Sequence, residues 1–80
     1  MNVKDIEKIL AEEAAAILSR DAAEIAPDEP LYALGIDSLG FVELLVFIEK
    51  RFNLKLIESG LGREDFKSIR SLALCISRMS

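Results

Sequence analysis

The apolar positions in the first quarter of the chain recur every three or four residues. Between about residues 2 and 20 they fall on one face of a helix: Val3, Ile6, Leu10, Ala14, Ile17 and Leu18. The three consecutive alanines at positions 14–16 add intrinsic helix propensity. This pattern predicts a long amphipathic helix.

The helical periodicity stops in the next segment, residues 21–37. Pro27 and Pro30 lack backbone N–H groups and disfavour helical conformation in the residues before them, so a long loop is predicted. Tyr32 is expected to anchor the loop in the core. Further apolar residues of the loop should pin it down in the same way: Ile25, Leu31, Leu34 and Ile36.

Two more helices are predicted in the second half of the chain. One begins at Ser38, a favoured N-cap residue after the turn at Gly35, and runs to about Phe52. The last runs over about residues 69–79 after its cap, Ser68, and residues 62–66 fit one short helical turn. The expected fold class is all-α, a small four-helix bundle with three main helices and one short turn. Eighty residues leave room for one core, so residues 1–80 are expected to form a single domain.

The helix that begins at Ser38 carries two apolar stripes. One stripe spans an arc of roughly 100° and is sufficient for a core face; it consists of Phe41, Leu44, Leu45, Ile48 and Phe52. The other consists of Leu39, Val42 and Val46 and lies on a different side of the helix. This second stripe has two interpretations. In one it packs under the loop and is covered by Leu31 or Leu34. In the other it is an exposed patch for partner proteins, with charges at its rim.

The composition excludes several classes of function. The net charge of −4 argues against nucleic acid and anionic membrane surfaces as partners. The chain has no histidine and one cysteine, which excludes His-based catalysis, a disulfide framework and Cys-based zinc sites, and no metal site is expected. Cys75 is expected to be a small buried hydrophobe. Apolar runs fall far short of the roughly 18 residues of a spanning helix, and the first residues do not resemble a secretory signal, so a cytoplasmic location is expected.

The segment Gly35-Ile36-Asp37-Ser38-Leu39 has two interpretations. It is a turn followed by a helix cap, or it is an attachment point, since backbone N–H groups and the macrodipole at a helix N-terminus stabilise an attached phosphate. The serine lies at the end of a long loop and beside the second apolar stripe, where partner proteins could reach it.

The same segment and the residues after it match the motif of a known family. The segment Leu34-Gly35-Ile36-Asp37-Ser38-Leu39, followed by Val42-Glu43-Leu44 and Glu49, closely resembles the acyl carrier proteins. Their signature is a Gly-x-Asp-Ser-Leu turn before the second helix of a four-helix bundle. The resemblance covers most of the chain, from the long first helix to the Ser68-Ile69 start of the last one.

The resemblance implies a carrier that is not itself an enzyme and is expected to be monomeric. A phosphopantetheinyl transferase would convert Ser38 to a 4′-phosphopantetheine phosphodiester from coenzyme A, and the arm's thiol would hold acyl groups as thioesters. Asp37 would help the transferase to hold Mg²⁺ and orient the serine. The alternative is that Asp37 only stabilises the helix, because an acidic residue near a helix N-terminus contributes about 0.3–1 kcal/mol. The partners are acyl-loading and acyl-transferring enzymes. The family's usual docking face matches Leu39, Val42, Glu43, Val46 and Glu49.

The chain departs from many fatty-acid carriers in its charge pattern. Gly40 stands where they often have an acid, and Glu49-Lys50-Arg51 interrupts their acidic run. A carrier of this class would serve fatty acid, specialised lipid or polyketide synthesis. The charge pattern favours a carrier dedicated to one pathway, such as polyketide, specialised lipid or aminoacyl transfer, over the general carrier of a fatty acid synthase. One alternative is a peptidyl or aminoacyl carrier on the same fold, loaded by an adenylating enzyme. Another is a non-covalent helical interaction module in which Ser38 is only a cap.

Overall fold

The computed structural model of the chain describes residues 2–56 and 66–79. These residues form four α-helices and one 3₁₀ turn, which confirms the all-α fold class. The helices are α1 (Val3–Leu18), α2 (Leu31–Leu34), α3 (Ser38–Phe52) and α4 (Ile69–Met79), and the 3₁₀ turn is Ala22–Glu24. The short turn predicted for residues 62–66 lies outside the described residues except for Phe66.

The first helix, α1, is capped at both ends by local groups. The Asn2 side chain accepts a hydrogen bond from the Asp5 N–H at 2.9 Å, as an N-cap residue does. At the other end Ser19 adopts a left-handed conformation with φ 57°, and its N–H closes the last turn. In the middle of α1, the face turned toward the core is the apolar face that the sequence predicts. The buried residues of α1 are Ile6, Leu10, Ala11, Ala14 and Ala15.

The loop after α1 is fixed against the start of α4 by backbone hydrogen bonds. The Leu31 N–H donates to the Lys67 carbonyl at 3.0 Å, and the Arg70 N–H donates to the Pro27 carbonyl at 2.8 Å. Ser68 caps α4 as predicted, because its hydroxyl accepts the Ser71 N–H at 3.1 Å. All four apolar loop residues named above are buried, so the loop is pinned to the core.

The helix α2 differs from the sequence prediction of an irregular loop. It is a single turn that begins directly after Pro30, too short to leave a periodic pattern in the sequence. Leu31 and Leu34, three residues apart, share its buried face. Tyr32 therefore points away from the core and is 80% exposed, so its prediction as a core anchor is wrong.

The core lies where α1, α3 and α4 meet. From α3 it receives Leu44, Leu45 and Ile48, and Phe41 and Phe52 pack at its edge, half-buried. Leu56, which follows α3, is completely buried and belongs to the same core. From α4 it receives Ile69, Leu72, Ala73, Cys75 and Ile76. The burial of Cys75, 1% exposed, confirms its prediction as a core residue.

Candidate functional site

The turn between α2 and α3 is short and held from three sides. Gly35 ends α2 with φ 105°, which is why a glycine is needed there. The Ile36 N–H donates to the Leu31 carbonyl at 3.1 Å, and Ile36 itself is buried. The Arg20 guanidinium donates to the Leu34 carbonyl at 2.9 Å. These contacts fix the backbone that leads into α3.

The N-cap of α3 is Asp37 rather than Ser38, which corrects the sequence prediction by one residue. Asp37 has an extended backbone, and its carboxylate accepts the Gly40 N–H at 2.8 Å. Ser38 is already the first helical residue, because a helix begins where the backbone angles become helical and the cap precedes that point. The cap therefore does not use the Ser38 hydroxyl.

The Ser38 side chain is exposed at the N-terminus of a helix of 15 residues. The unpaired N–H groups and the positive end of the macrodipole favour an anion at this position. No acidic side chain lies in the first turn of α3, and the neighbouring Asp37 carboxylate is held by the Gly40 N–H. A hydroxyl here can be reached by another protein and can carry a phosphate group.

Gly40 is buried where α3 approaches the loop and the end of α1. A Cβ at this position would lie 3.3 Å from both Asp37 Oδ1 and Ile17 Cγ2 and 3.4 Å from Ile36 Cγ2. These distances are tight for a methyl group, so a side chain added here would have to displace these neighbours slightly. Gly40, which stands where many fatty-acid carriers have an acid, thus lies at a closely packed position.

The second apolar stripe of α3 is exposed, so the interpretation that the loop covers it is wrong. Leu39, Val42 and Val46 are 69%, 51% and 41% exposed. Leu31 and Leu34, the residues that could have covered it, face the core instead. The charged rim consists of Glu43 and Lys50, which are exposed, and Glu49, which is half-buried.

An open groove of about 760 Å³ lies beside Ser38, and the sequence analysis did not predict it. In its base the rings of Phe41 and Phe66 meet edge to face with 5.5 Å between their centroids. The groove was missed because its walls come from segments distant in sequence that only the folded backbone brings together. The described residues that line it are Leu31, Tyr32, Ile36, Asp37, Ser38, Phe41, Phe66 and Lys67.

Two further observations concern metals and membranes. Over residues 2–56 and 66–79 no three His, Cys, Asp or Glu side chains come together in a way that could hold a metal ion. None of the helices in the same residues is long and apolar enough to cross a membrane.

Residues 8–76 match the protein family described as the phosphopantetheine attachment site. The D-alanyl carrier protein of Streptococcus suis (strain 05ZYH33) is 37% identical over 73 residues, which cover 90% of this chain and 87% of that protein. The D-alanyl carrier protein of Streptococcus pyogenes serotype M1 is 37% identical over 68 residues, covering 84% and 85%.

A solved structure is also similar. The NMR structure of the HMG-ACPI domain from the CurA module of Lyngbya majuscula has a TM-score of 0.80 and 28% sequence identity. The match covers 98% of this chain and 77% of that one. It supports the acyl-carrier-like arrangement of the helices.

The chain belongs to the phosphopantetheine-attachment family. It is a carrier protein with a covalently attached 4′-phosphopantetheine, and it is not itself an enzyme. The residues at the start of α3 fit this group, because they combine an exposed hydroxyl, a helix N-terminus suited to a phosphate and an adjoining groove.

Proposed function

We propose that Ser38 is the residue to which the 4′-phosphopantetheine is attached. The observation that carries this proposal is the exposed hydroxyl at the first position of α3, which the Asp37 cap does not use. When bound, the group supplies a thiol that holds an acyl cargo as a thioester. The protein presents the serine on a fixed turn and stabilises the phosphodiester charge with the N-terminus of α3.

Asp37 has two proposed roles, which substitutions can separate. Its carboxylate caps α3, and we propose that it also helps the phosphopantetheinyl transferase to position Mg²⁺ and the serine. Asp37→Asn keeps an oxygen that can accept the Gly40 N–H, whereas Asp37→Ala removes it. We expect Asp37→Ala to lower the free energy of unfolding by about 0.5–2 kcal/mol, and Asp37→Asn to lower it much less.

The two roles are measured on the same purified variants. Urea unfolding reports the cap, and the initial rate of arm attachment by a phosphopantetheinyl transferase reports the second role. We expect Asp37→Asn to slow attachment at least tenfold while its stability stays near that of the wild type. Attachment at the wild-type rate would limit Asp37 to capping.

We propose that the exposed stripe of α3 and its rim dock onto partner enzymes. The stripe begins one residue after Ser38, so an enzyme bound there would have the arm beside it. The supporting observation is the exposure of three aliphatic side chains, Leu39, Val42 and Val46. The charged residues around them are Glu43, Glu49 and Lys50.

A single charge on this docking face should reduce partner function without unfolding the protein. We expect Val46→Glu to lower kcat/KM for arm attachment or cargo loading about tenfold or more, because the charge would be desolvated in the complex. Leu74→Glu is the matched control, since Leu74 is similarly exposed at 47% but lies on α4. Equal rates for both variants, or loss of helical circular dichroism in Val46→Glu, would contradict the docking face.

For the cargo, we propose an aminoacyl group, with D-alanine as the first candidate. The support is the similarity to D-alanyl carrier proteins over most of both chains. This favours the aminoacyl alternative over a fatty acid carrier. The aminoacyl proposal also agrees with the charge pattern, because Glu49-Lys50-Arg51 interrupts the acidic run that many fatty-acid carriers have.

The cargo is tested on the protein that carries the arm. The sample is incubated with ATP, Mg²⁺, D-alanine and an adenylating enzyme that activates D-alanine, with L-alanine and the arm-free protein as controls. We expect a mass gain of one alanyl group that hydroxylamine removes, as it does from a thioester.

A polyketide-type acyl group is the second candidate, supported by the similarity to an HMG-ACPI domain. If no alanyl group is gained, while an acyltransferase that uses acyl-coenzyme A loads the same sample, the aminoacyl proposal fails and this candidate replaces it.

A further inference from the structure

Lys67 occupies a special place in the groove beside Ser38. It is the one cationic residue among the described residues that line this groove, where the other charged residue is Asp37. It lies just before α4, about thirty residues further along the chain than Ser38. No role follows for it from docking, capping or core packing.

The backbone holds Lys67 next to the attachment site. Its carbonyl accepts the Leu31 N–H at 3.0 Å, and the adjacent Ser68 forms an isolated bridge with Pro30. The wall that carries Lys67 is therefore tied to the start of α2. Its neighbour Phe66 contacts Phe41 of α3 in the base of the groove. The position of Lys67 relative to Ser38 is set by these contacts across the groove.

The side chain of Lys67 is available to a ligand. It is exposed, and no ion pair involves it within residues 2–56 and 66–79. By contrast, Arg20 pairs with Glu24 at 3.6 Å and Arg70 with Glu7 at 3.3 Å. Asp37, the acid of the groove, already accepts the Gly40 N–H. Among the described residues, the groove thus combines the aromatic rings of Phe41 and Phe66 with one positive charge, that of Lys67, which can attract an anion.

The phosphopantetheine arm matches this groove in charge and in character. Its phosphodiester is an anion attached to a side chain at the mouth of the groove, and the next part of the arm carries two geminal methyl groups that are apolar. The volume of about 760 Å³ lies in the range of roughly 300–1,000 Å³ that is typical of small-molecule sites.

We propose that Lys67 binds the phosphodiester of the arm and so directs the arm into the groove over Phe41 and Phe66. This inference rests on the proposed attachment at Ser38. In the free carrier the ammonium holds the phosphodiester end, and the arm leaves the groove when a partner enzyme binds its thiol end. Lys67 is a positioning residue, because it acts on the arm and not on the reacting thioester.

The experiment compares proteins with and without the arm for the wild type and for variants at position 67. We expect attachment of the arm to raise the Tm of both proteins by different amounts. The increase in the wild type should exceed the increase in Lys67→Ala by about 1–6 °C, which is the range for one exposed ion pair in a domain of this size. Lys67→Arg should keep the increase, and Lys67→Glu should turn it into a decrease. Salt at 1 M should remove the difference, since it screens exposed charges.

Nuclear magnetic resonance gives a direct readout. In the wild type with the arm attached, nuclear Overhauser effects are expected between the geminal methyl protons and the rings of Phe41 and Phe66, and they should weaken in Lys67→Ala. The ³¹P resonance of the phosphodiester should also shift between these two proteins. Lys8→Ala is the matched control, because it removes an exposed lysine of α1 that does not line the groove.

Failure of the inference and failure of attachment at Ser38 can be told apart. If mass analysis places the arm on Ser38 but Lys67→Ala behaves like Lys8→Ala in Tm, ³¹P shift and Overhauser effects, the role of Lys67 is overturned and the attachment site stands. If the arm is attached at another residue, both proposals fail.

Discussion

Replacing Ile48 by alanine is expected to lower the free energy of unfolding by about 2–5 kcal/mol. Ile48 is completely buried, on the face of α3 that is turned toward the core. The substitution loses the transfer free energy of the removed methyl and methylene groups and leaves a cavity that a small bundle cannot fully close. The higher helix propensity of alanine recovers only a few tenths of a kcal/mol.

Val46→Ala is the matched control for this prediction. Val46 lies two residues before Ile48 on the same helix, but it is 41% exposed. We expect it to change the free energy of unfolding by no more than about 0.5 kcal/mol. Both variants are measured by urea unfolding monitored by circular dichroism. A larger loss for Val46→Ala than for Ile48→Ala would mean that α3 turns the other stripe toward the core.

The variant Ser38→Asp is expected to fold normally and to lose its carrier function completely. Position 38 is exposed at the first turn of α3, where an acidic side chain is favourable by about 0.3–1 kcal/mol. The Asp37 cap is kept, so α3 should begin at the same residue. The carboxylate cannot form the phosphodiester, and no mass gain is expected with a phosphopantetheinyl transferase and coenzyme A.

The comparison with Ser38→Thr separates a carrier from a non-covalent interaction module. Threonine keeps a hydroxyl but adds a methyl group, and we expect it to lose most of the arm attachment while its thermal unfolding stays near that of the wild type. A non-covalent interaction module would keep its partner binding in both variants. An arm on Ser38→Asp would show that attachment occurs elsewhere in the chain.

The long helices could be predicted from the sequence because they bury one face over several turns. The apolar spacing of α1 and α3 repeats often enough to fix their length and orientation within two residues. The same spacing separated the buried stripe of α3 from the exposed one. It could not decide whether the loop covers the second stripe, because that depends on the direction of Leu31 and Leu34 in the fold.

The features that the sequence did not predict depend on single turns or on distant contacts. The four residues of α2 are too few for a periodic signal, so Tyr32 was placed in the core although it is 80% exposed. Asp37 and Ser38 are both good cap residues, and only the backbone angles decide which of them caps α3. The groove is lined by both Ser38 and Lys67, which are distant in sequence. Backbone hydrogen bonds between the loop after α1 and the start of α4 bring their segments together.

The central claim, that Ser38 carries the phosphopantetheine arm, is tested most directly by mass spectrometry. The folded chain without the arm is incubated with coenzyme A, Mg²⁺ and a broad-specificity phosphopantetheinyl transferase, with Ser38→Ala as the control. The intact mass and the fragment masses are then measured. A gain of one phosphopantetheine on Ser38 that is absent from Ser38→Ala is the predicted result. No gain on folded protein while a known carrier is modified in parallel, or a gain on another residue, would contradict it.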